Sequence, residues 1–229
     1  MYSDLKERVL EANLGLVRHG LVKFTWGNVS EIDREKGVVA IKPSGVSYEK
    51  MRADDIVVAD LNGRVVDGKL NPSVDLPTHL ELYKAIAEIG GVAHTHSTFA
   101  AAFAQSGKAV PALGTTHADY FCGAVPCARA LTASEMKRCY EENTGRVILE
   151  TVNKKEAMKI PGVLVKSHVV FTWGADGAES LHNAVVLEEI AKMSYLTLTL
   201  TPNQNEVGRG LLNVHYERKH GKNAAYGQK

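Results

Sequence analysis

The stretch Gly90-Gly91-Val92-Ala93-His94-Thr95-His96-Ser97 constrains this chain more than any other. Two glycines open it, small and β-branched residues carry it, and two histidines stand two positions apart. Successive side chains of a strand alternate faces, so His94 and His96 can aim two imidazoles at one point. A lone histidine is more often a satisfied polar residue than a ligand. A convergent pair reads equally well as half of a metal site, since imidazole is the commonest metal ligand. Zinc would then need a third protein ligand, and an open fourth position if the site is catalytic.

The surrounding pattern alternates helices and strands. Residues 4–20 carry Leu5, Val9 and Leu16 at helical spacing and stop at Gly20. Residues 24–30 read as a short strand or turn, and residues 37–42 as a strand ending in the loop Pro43-Ser44-Gly45. Asn62-Gly63 between two β-rich runs signals a hairpin. The loop 71–77 leads into a helix over 76–88, and 98–105 is an alanine-rich helix. Residues 114–120 look polar and loop-like, and Thr132 to Glu135 opens a helix with a capping-box pattern. A long strand and a turn lie within 162–174, a strong helix spans 176–199, and a final helix covers about 203–219. No linker or composition break divides residues 1–229, so a single domain is expected. Such a mixture predicts an α/β fold, a sheet covered by helices and made partly antiparallel by hairpins. Phe-Thr-Trp-Gly occurs at 24–27 and 171–174, but nothing around it repeats, and we read it as coincidence.

Composition excludes several function classes. A formal net charge of +1 provides no single-sign field for nucleic acid. No apolar run approaches the ~20 residues that span a bilayer, and Met1 to Lys6 lacks the layout of a signal peptide. Cys122, Cys127 and Cys139 form no CxxC pair and read as reduced thiols. A cytoplasmic location, with neither nucleic-acid nor membrane partners, is the expectation.

His168 is the natural third ligand, on a β-rich strand in alternation with Lys166 and Leu164. Asp75 is the natural carboxylate, and the competing reading of it is a helix N-cap. Three imidazoles and a carboxylate suit Zn²⁺, with Mn²⁺ or Co²⁺ as substitutes. A second ingredient is an anion site. Lys42-Pro43-Ser44-Gly45 places an amine, a hydroxyl and free backbone N–H groups at a strand end, where Gly27-Asn28 and Ser73 can join it. A plain turn is an equal reading of Ser44-Gly45. There is no GxxxxGK[ST], and Gly208-Arg209-Gly210 lacks the third glycine of a dinucleotide fingerprint, so an NAD mechanism has no support.

Taken together, His94-Thr95-His96, the loop Asn71-Pro72-Ser73-Val74-Asp75-Leu76-Pro77-Thr78-His79, Gly114-Thr115-Thr116-His117-Ala118-Asp119-Tyr120, and Pro161 to Val165 with His168 resemble the class II sugar-phosphate aldolase/epimerase family. The likeness runs from Leu5 to the Ala225-Tyr226-Gly227-Gln228 tail. The Thr-Thr-His-Ala-Asp-Tyr run and the terminal tyrosine point to its epimerase branch. The resemblance implies a three-layer α/β/α fold around a mixed, mostly antiparallel sheet. It implies zinc on Asp75, His94, His96 and His168, and phosphate or substrate contacts from Gly27, Asn28, Ser44, Gly45 and Ser73, with Lys42 nearby. Asp119 and Tyr226 become proton donor/acceptors, the tyrosine reaching the site of a neighbouring subunit in a homotetramer. Where the family pattern has a second serine, this chain carries Val74, which keeps a backbone N–H for the phosphate but loses the hydroxyl.

The implied activity is epimerisation at C4 of a pentulose phosphate, L-ribulose 5-phosphate to D-xylulose 5-phosphate, of the kind used in arabinose catabolism. The C4–H bond of a 2-ketose is not α to the carbonyl, so simple deprotonation there gives no stabilised carbanion. Cleaving C3–C4 does, and it calls for a Lewis acid and two proton shuttles, one per face of the aldehyde. Two alternatives are a phosphate aldolase of the L-fuculose- or L-rhamnulose-1-phosphate type and a non-catalytic module like the adducin head. His19, His79, His117, His182 and His220 are read as structural or surface residues. His215 and Arg218 read either as reaching a neighbour's phosphate or as a solvated basic helix end.

Overall fold

A computed structural model describes residues 1–222 and Ala224. Tyr226 lies outside the described residues. The chain forms α1 (Ser3–Arg18), β1 (Asn28–Asp33), β2 (Val38–Ile41), β3 (Val57–Asp60), β4 (Val65–Asp67), α2 (Leu76–Ala85), β5 (Gly91–Thr95), α3 (Thr98–Ser106) and α4 (Thr115–Ala118). Then follow β6 (Cys127–Ala128), α5 (Ala133–Lys137), α6 (Tyr140–Thr151), β7 (Gly162–Val165), β8 (Val170–Gly174), α7 (Gly177–Leu200) and α8 (Arg209–His220).

The strands make one eight-stranded sheet in the order β4-β3-β2-β1-β5-β8-β7-β6. Among the described residues only β6 and β7 pair in parallel, so the sheet is mixed and mostly antiparallel. Alternation sorts its side chains onto two faces. Val39, Ile41, Val92, Phe171 and Trp173 pack with Leu76, Leu80 and Tyr83 of α2 and Val147 and Ile148 of α6. Val29, Val38, Ala40 and Ala93 meet Leu5, Val9, Ala12 and Leu16 of α1. Leu164 and Val170 meet Phe103 of α3 and Leu187 and Ile190 of α7. Helices therefore cover both faces in a three-layer α/β/α arrangement, and each fully buried large side chain contributes roughly 1.5–3 kcal/mol.

The glycines that open β5 have a packing reason. A Cβ on Gly90 or Gly91 would run into the backbone of Ala175 and Asp176, which turns the chain from β8 into α7. Close approach here keeps β5 in the centre of the sheet, between β1 and β8.

Three boundaries differ from the sequence expectation. The polar stretch 114–120 contains a short helix, α4, closed by Ala118 N–H to Gly114 and Asp119 N–H to Thr115. α2 ends at Ala85, not 88, because Arg34 reaches in and donates to the carbonyls of Tyr83, Ile86 and Ile89. α8 begins at Arg209, not 203, because the Val207 N–H is drawn away to the carbonyl of Ala112. The repeated Phe-Thr-Trp-Gly occupies unlike settings: Trp173 is fully buried, whereas Trp26 is half exposed.

Candidate active site

The site begins as a row across three central strands. Antiparallel register sets Asn28 of β1 opposite His94 of β5, and His94 opposite Phe171 of β8. The His94 ring stacks on Phe171 at 4.4 Å between centroids. Its Nδ1 lies 3.2 Å from the Val170 carbonyl, which fixes Nδ1–H as the donor and leaves the Nε2 lone pair free. That Nε2 stands 4.0 Å from Asp75 Oδ2.

His96 lies just past the end of β5, its ring 5.1 Å from that of His94, as the two-residue period requires. His168 completes the group at 5.6 Å from His94 and 6.2 Å from His96. The expectation that His168 sits on a strand is corrected. It lies in the tight turn between β7 and β8, where Ser167 takes a left-handed conformation with φ of 61° and the Val165 N–H bonds Val169.

Asp75 occupies the N-cap position of α2, yet its side chain makes no capping bond. Its Oδ2 instead accepts from Asn28 Nδ2 at 2.7 Å and from Ser73 Oγ at 3.2 Å. Burial pushes the carboxyl up, but His94, His79 and the two hydrogen bonds outweigh it, so it titrates below its usual range. Burial pushes His96 and His168 down to about 4, with His94 adding to the effect. His96 and His168 therefore stand as neutral imidazoles beside one ionised carboxylate.

These groups surround an opening rather than closing on a point. Among the described residues no three His, Cys, Asp or Glu stand ready to hold an ion as they are. The chemistry nonetheless fits a divalent cation of the zinc type. Asn28 Oδ1 and His168 Nδ1 are buried in this cluster without any hydrogen-bond partner, polar atoms that a bound ion or its water would satisfy.

The opening is a cavity of about 360 Å³. Its walls include Gly27, Asn28, Lys42, Ser44, Gly45, Ser73, Val74, Asp75, His94, His96 and His168, so the anion-site and metal-site candidates share one space. Two loops are stitched together to make it, by Ser44 N–H to Asn71 and Ser73 N–H to Lys42, both at 2.9 Å. Gly27 has φ of 69°, and a Cβ there would lie 2.6 Å from the His94 carbonyl oxygen. Lys42 is buried under the face of Tyr48, and burial lowers its amine against the pull of Asp75. Val74 stands 63% exposed at the rim.

Asp119 is not brought to this cavity within one chain. Its carboxylate accepts from His215 Nδ1 at 2.9 Å, and its carbonyl from His220 Nε2 at 2.9 Å. This hydrogen bond between Asp119, which follows α4, and His215 on α8 makes His215 more than a solvated helix end.

Two aromatic residues at the site escaped the sequence reading. Trp26 lines the cavity with its ring 5.7 Å from His96, and Tyr140 meets His168 edge-on at 5.8 Å. The adjacency of Trp26 to Gly27-Asn28 was the available signal; nothing local marked Tyr140. Among the described residues three non-glycine positions have left-handed backbone: Phe24, Cys139 and Ser167. Each lies one or two residues before a ring that faces the histidines, namely Trp26, Tyr140 and His168 itself.

A histidine cluster beside a pair of laced polar loops, on this sheet order, defines a class of protein rather than a particular one. The model of the class II aldolase and adducin N-terminal domain matches residues 7–195, and the chain belongs to that family. Among solved structures it is similar to an L-fuculose 1-phosphate aldolase, with TM-score 0.80 and 26% identity over 94% of this chain and 96% of that one. It is also similar to L-fuculose 1-phosphate aldolase from Glaciozyma antarctica, with TM-score 0.76 and 18% identity over 97% and 84% of the two chains. The corresponding values for L-fuculose-1-phosphate aldolase from Thermus thermophilus are 0.69, 21%, 88% and 99%.

Proposed function

We propose that this chain is a zinc-dependent L-ribulose-5-phosphate 4-epimerase that interconverts L-ribulose 5-phosphate and D-xylulose 5-phosphate. Asp75 carries the reading. In the fuculose-phosphate aldolases that the sequence resembles, a glutamate at this position serves as the base. Here a shorter carboxylate is held beside His94 by Asn28 and Ser73, a posture suited to holding a cation rather than to ferrying protons.

Asp75, His94, His96 and His168 would hold the ion. When bound, a divalent cation supplies Lewis acidity beside the ketose oxygens, worth several kcal/mol. Lys42, Ser44 and Ser73, with the backbone N–H groups of Gly45 and Val74, would grip the phosphate. The two-carbon aldehyde half then stays tethered while it rotates after C3–C4 cleavage. A cavity of about 360 Å³ suits a pentulose phosphate. Asp119 and Tyr226 would move the C4 hydroxyl proton on opposite faces of the aldehyde. The pairing of Asp119 with His215, away from its own chain's cavity, supports action across subunits in a homo-oligomer, a tetramer by resemblance.

The test is steady-state kinetics of Asp119→Asn and Tyr226→Phe on L-ribulose 5-phosphate, with zinc content measured in parallel. Turnover should fall about 10²–10⁴-fold with zinc retained, as for lost acid–base groups. Wild-type rates in both variants would refute the shuttle assignment, and solvent deuterium at C4 after turnover in D₂O would refute cleavage. A second reading, a sugar 1-phosphate aldolase, is favoured by the 26% identity to an L-fuculose 1-phosphate aldolase. Free dihydroxyacetone phosphate from a ketose 1-phosphate would establish it.

A further inference from the structure

The helix that joins two of the site's histidines is held by a side chain the reaction does not use. α3 begins at Thr98, two residues after His96, and its other end meets the turn that carries His168. There the Ser167 N–H donates to the Ala104 carbonyl at 3.2 Å. The stem of Lys166 lies against Gly107, where a Cβ would stand 3.1 Å from it. α3 is therefore a strut between the two segments, and a shift of the helix is passed to both.

The N-terminus of that strut is capped from outside. Ser97 holds the N-cap position in extended backbone, with φ of −62° and ψ of 141°, where a serine ordinarily accepts from the N–H two or three residues on. It makes no such bond, and the Thr95 hydroxyl donates to its Oγ at 3.4 Å instead. Glu188 of α7 takes over the two N–H groups. Phe99 N–H reaches both of its carboxylate oxygens, at 2.9 and 3.1 Å, and Ala100 N–H reaches Oε2 at 2.9 Å. A negative charge there also meets the positive end of the helix. Lys192 and Tyr195 share the Glu188 face of α7 by helical spacing, and both meet the Phe99 ring, at 5.9 and 5.7 Å. Ala100 and Phe103 pack with Leu187, Ile190 and Ala191. Apolar packing has no preferred direction and allows a helix to slide, whereas hydrogen bonds to two particular N–H groups do not.

We propose that Glu188 is a positioning residue for His96 and His168: by capping α3 from α7 it fixes that helix along its axis, and with it the separation of the two imidazoles. The inference rests on the reading of His96 and His168 as metal ligands. Glu188 acts through the backbone of α3 and touches neither ring.

The experiment has two arms, both on full-length protein. Hydrogen exchange of the metal-free chain reads the strut directly. Zn²⁺ affinity, by competition with a chromophoric chelator, and the visible spectrum of the Co²⁺ form read its effect on the histidines. In Glu188→Ala, amides within 98–104 and 166–168 should exchange about 10–100-fold faster, as for a lost bond to a charged group. Zinc should bind about 10–100-fold more weakly, with an altered Co²⁺ spectrum. Glu188→Gln keeps one acceptor oxygen at equal size and should lose about three- to tenfold in both arms, so it carries the comparison even where Glu188→Ala does not fold. Gly37→Ala, strained at a site with open space around it, is the control for plain destabilisation and should leave both arms at wild type. Faster exchange in α3 with wild-type zinc affinity and spectrum would reduce Glu188 to a helix cap and overturn the proposal while leaving the metal site standing. Wild-type exchange in the Glu188 variants would overturn it as well. A wild-type chain that binds no divalent metal would sink the metal reading together with the proposal.

Discussion

Gly27 offers a sharp test of how the site is built, because a matched control exists elsewhere in the chain. Gly27 and Gly37 share nearly the same backbone, φ of 69° and 65°. A Cβ at Gly37 meets nothing within 4 Å, whereas at Gly27 it would lie 2.6 Å from the His94 carbonyl oxygen and 2.7 Å from Val22 Cγ1. Gly37→Ala therefore isolates the left-handed penalty, about 1–2 kcal/mol for a residue with a Cβ. Gly27→Ala adds overpacking against a central strand, typically about 1–3 kcal/mol, for a total of roughly 2–5 kcal/mol. For a chain of this size that corresponds to a fall in Tm of roughly 4–20 °C. The assay is urea unfolding at fixed protein concentration, reading the midpoint at unchanged m. Because the obstructed atom belongs to His94, zinc stoichiometry should fall in Gly27→Ala and stay at wild type in Gly37→Ala. Equal destabilisation of the two variants, with equal zinc, would refute the close-approach argument.

Trp173→Phe should destabilise by roughly 2–4 kcal/mol, from the void left and from the Ala157 carbonyl that loses the indole N–H at 2.9 Å. It leaves Trp26 as the sole tryptophan, so fluorescence then reports on the cavity mouth, and a midpoint unchanged in urea would refute the estimate. His117 gives a pH prediction. Burial lowers its pKa although Nε2 bonds the Gly123 carbonyl, so the unfolded chain takes up a proton near pH 6.5 that the folded chain refuses. Stability is whole above about pH 6.5 and falls as the solution is acidified, by at most about 1.4 kcal/mol per pH unit for this group. His117→Gln should show a shallower loss between about pH 6.5 and 5, and identical slopes would count against the assignment.

What could be read from the sequence was what short-range geometry decides. A period of two made His94 and His96 converge, and helical spacing placed Leu5, Val9 and Leu16 on one face of α1. The loops 42–45 and 71–75 were recognisable as polar turns, but their lacing together through Ser44–Asn71 and Ser73–Lys42 was not. Sequence alone sets His168 on a strand because nothing in Lys166-Ser167-His168 advertises a turn; a serine, not a glycine, takes the left-handed position. On its own Asp75 reads first as a helix N-cap, and it does hold that position; that its side chain turns instead to Asn28 of β1 and to Ser73 is invisible in the local sequence. The bond between Asp119 and His215 joins residues 96 apart, beyond any local pattern. His79, read as structural or surface, proved to be the inner end of a buried polar chain.

The three left-handed residues carry a consequence for anyone who would make this protein hardier. Such a conformation costs a residue with a side chain roughly 1–2 kcal/mol, so Phe24, Cys139 and Ser167 together burden a fold whose net stability is only about 5–15 kcal/mol. Selection for heat resistance alone would be drawn to glycine at these positions, since relief of strain exceeds the added freedom of the unfolded chain. Each such gain would loosen the segment that aims Trp26, Tyr140 or His168. Heat tolerance and a rigid histidine cluster are in this molecule opposed at three identifiable residues.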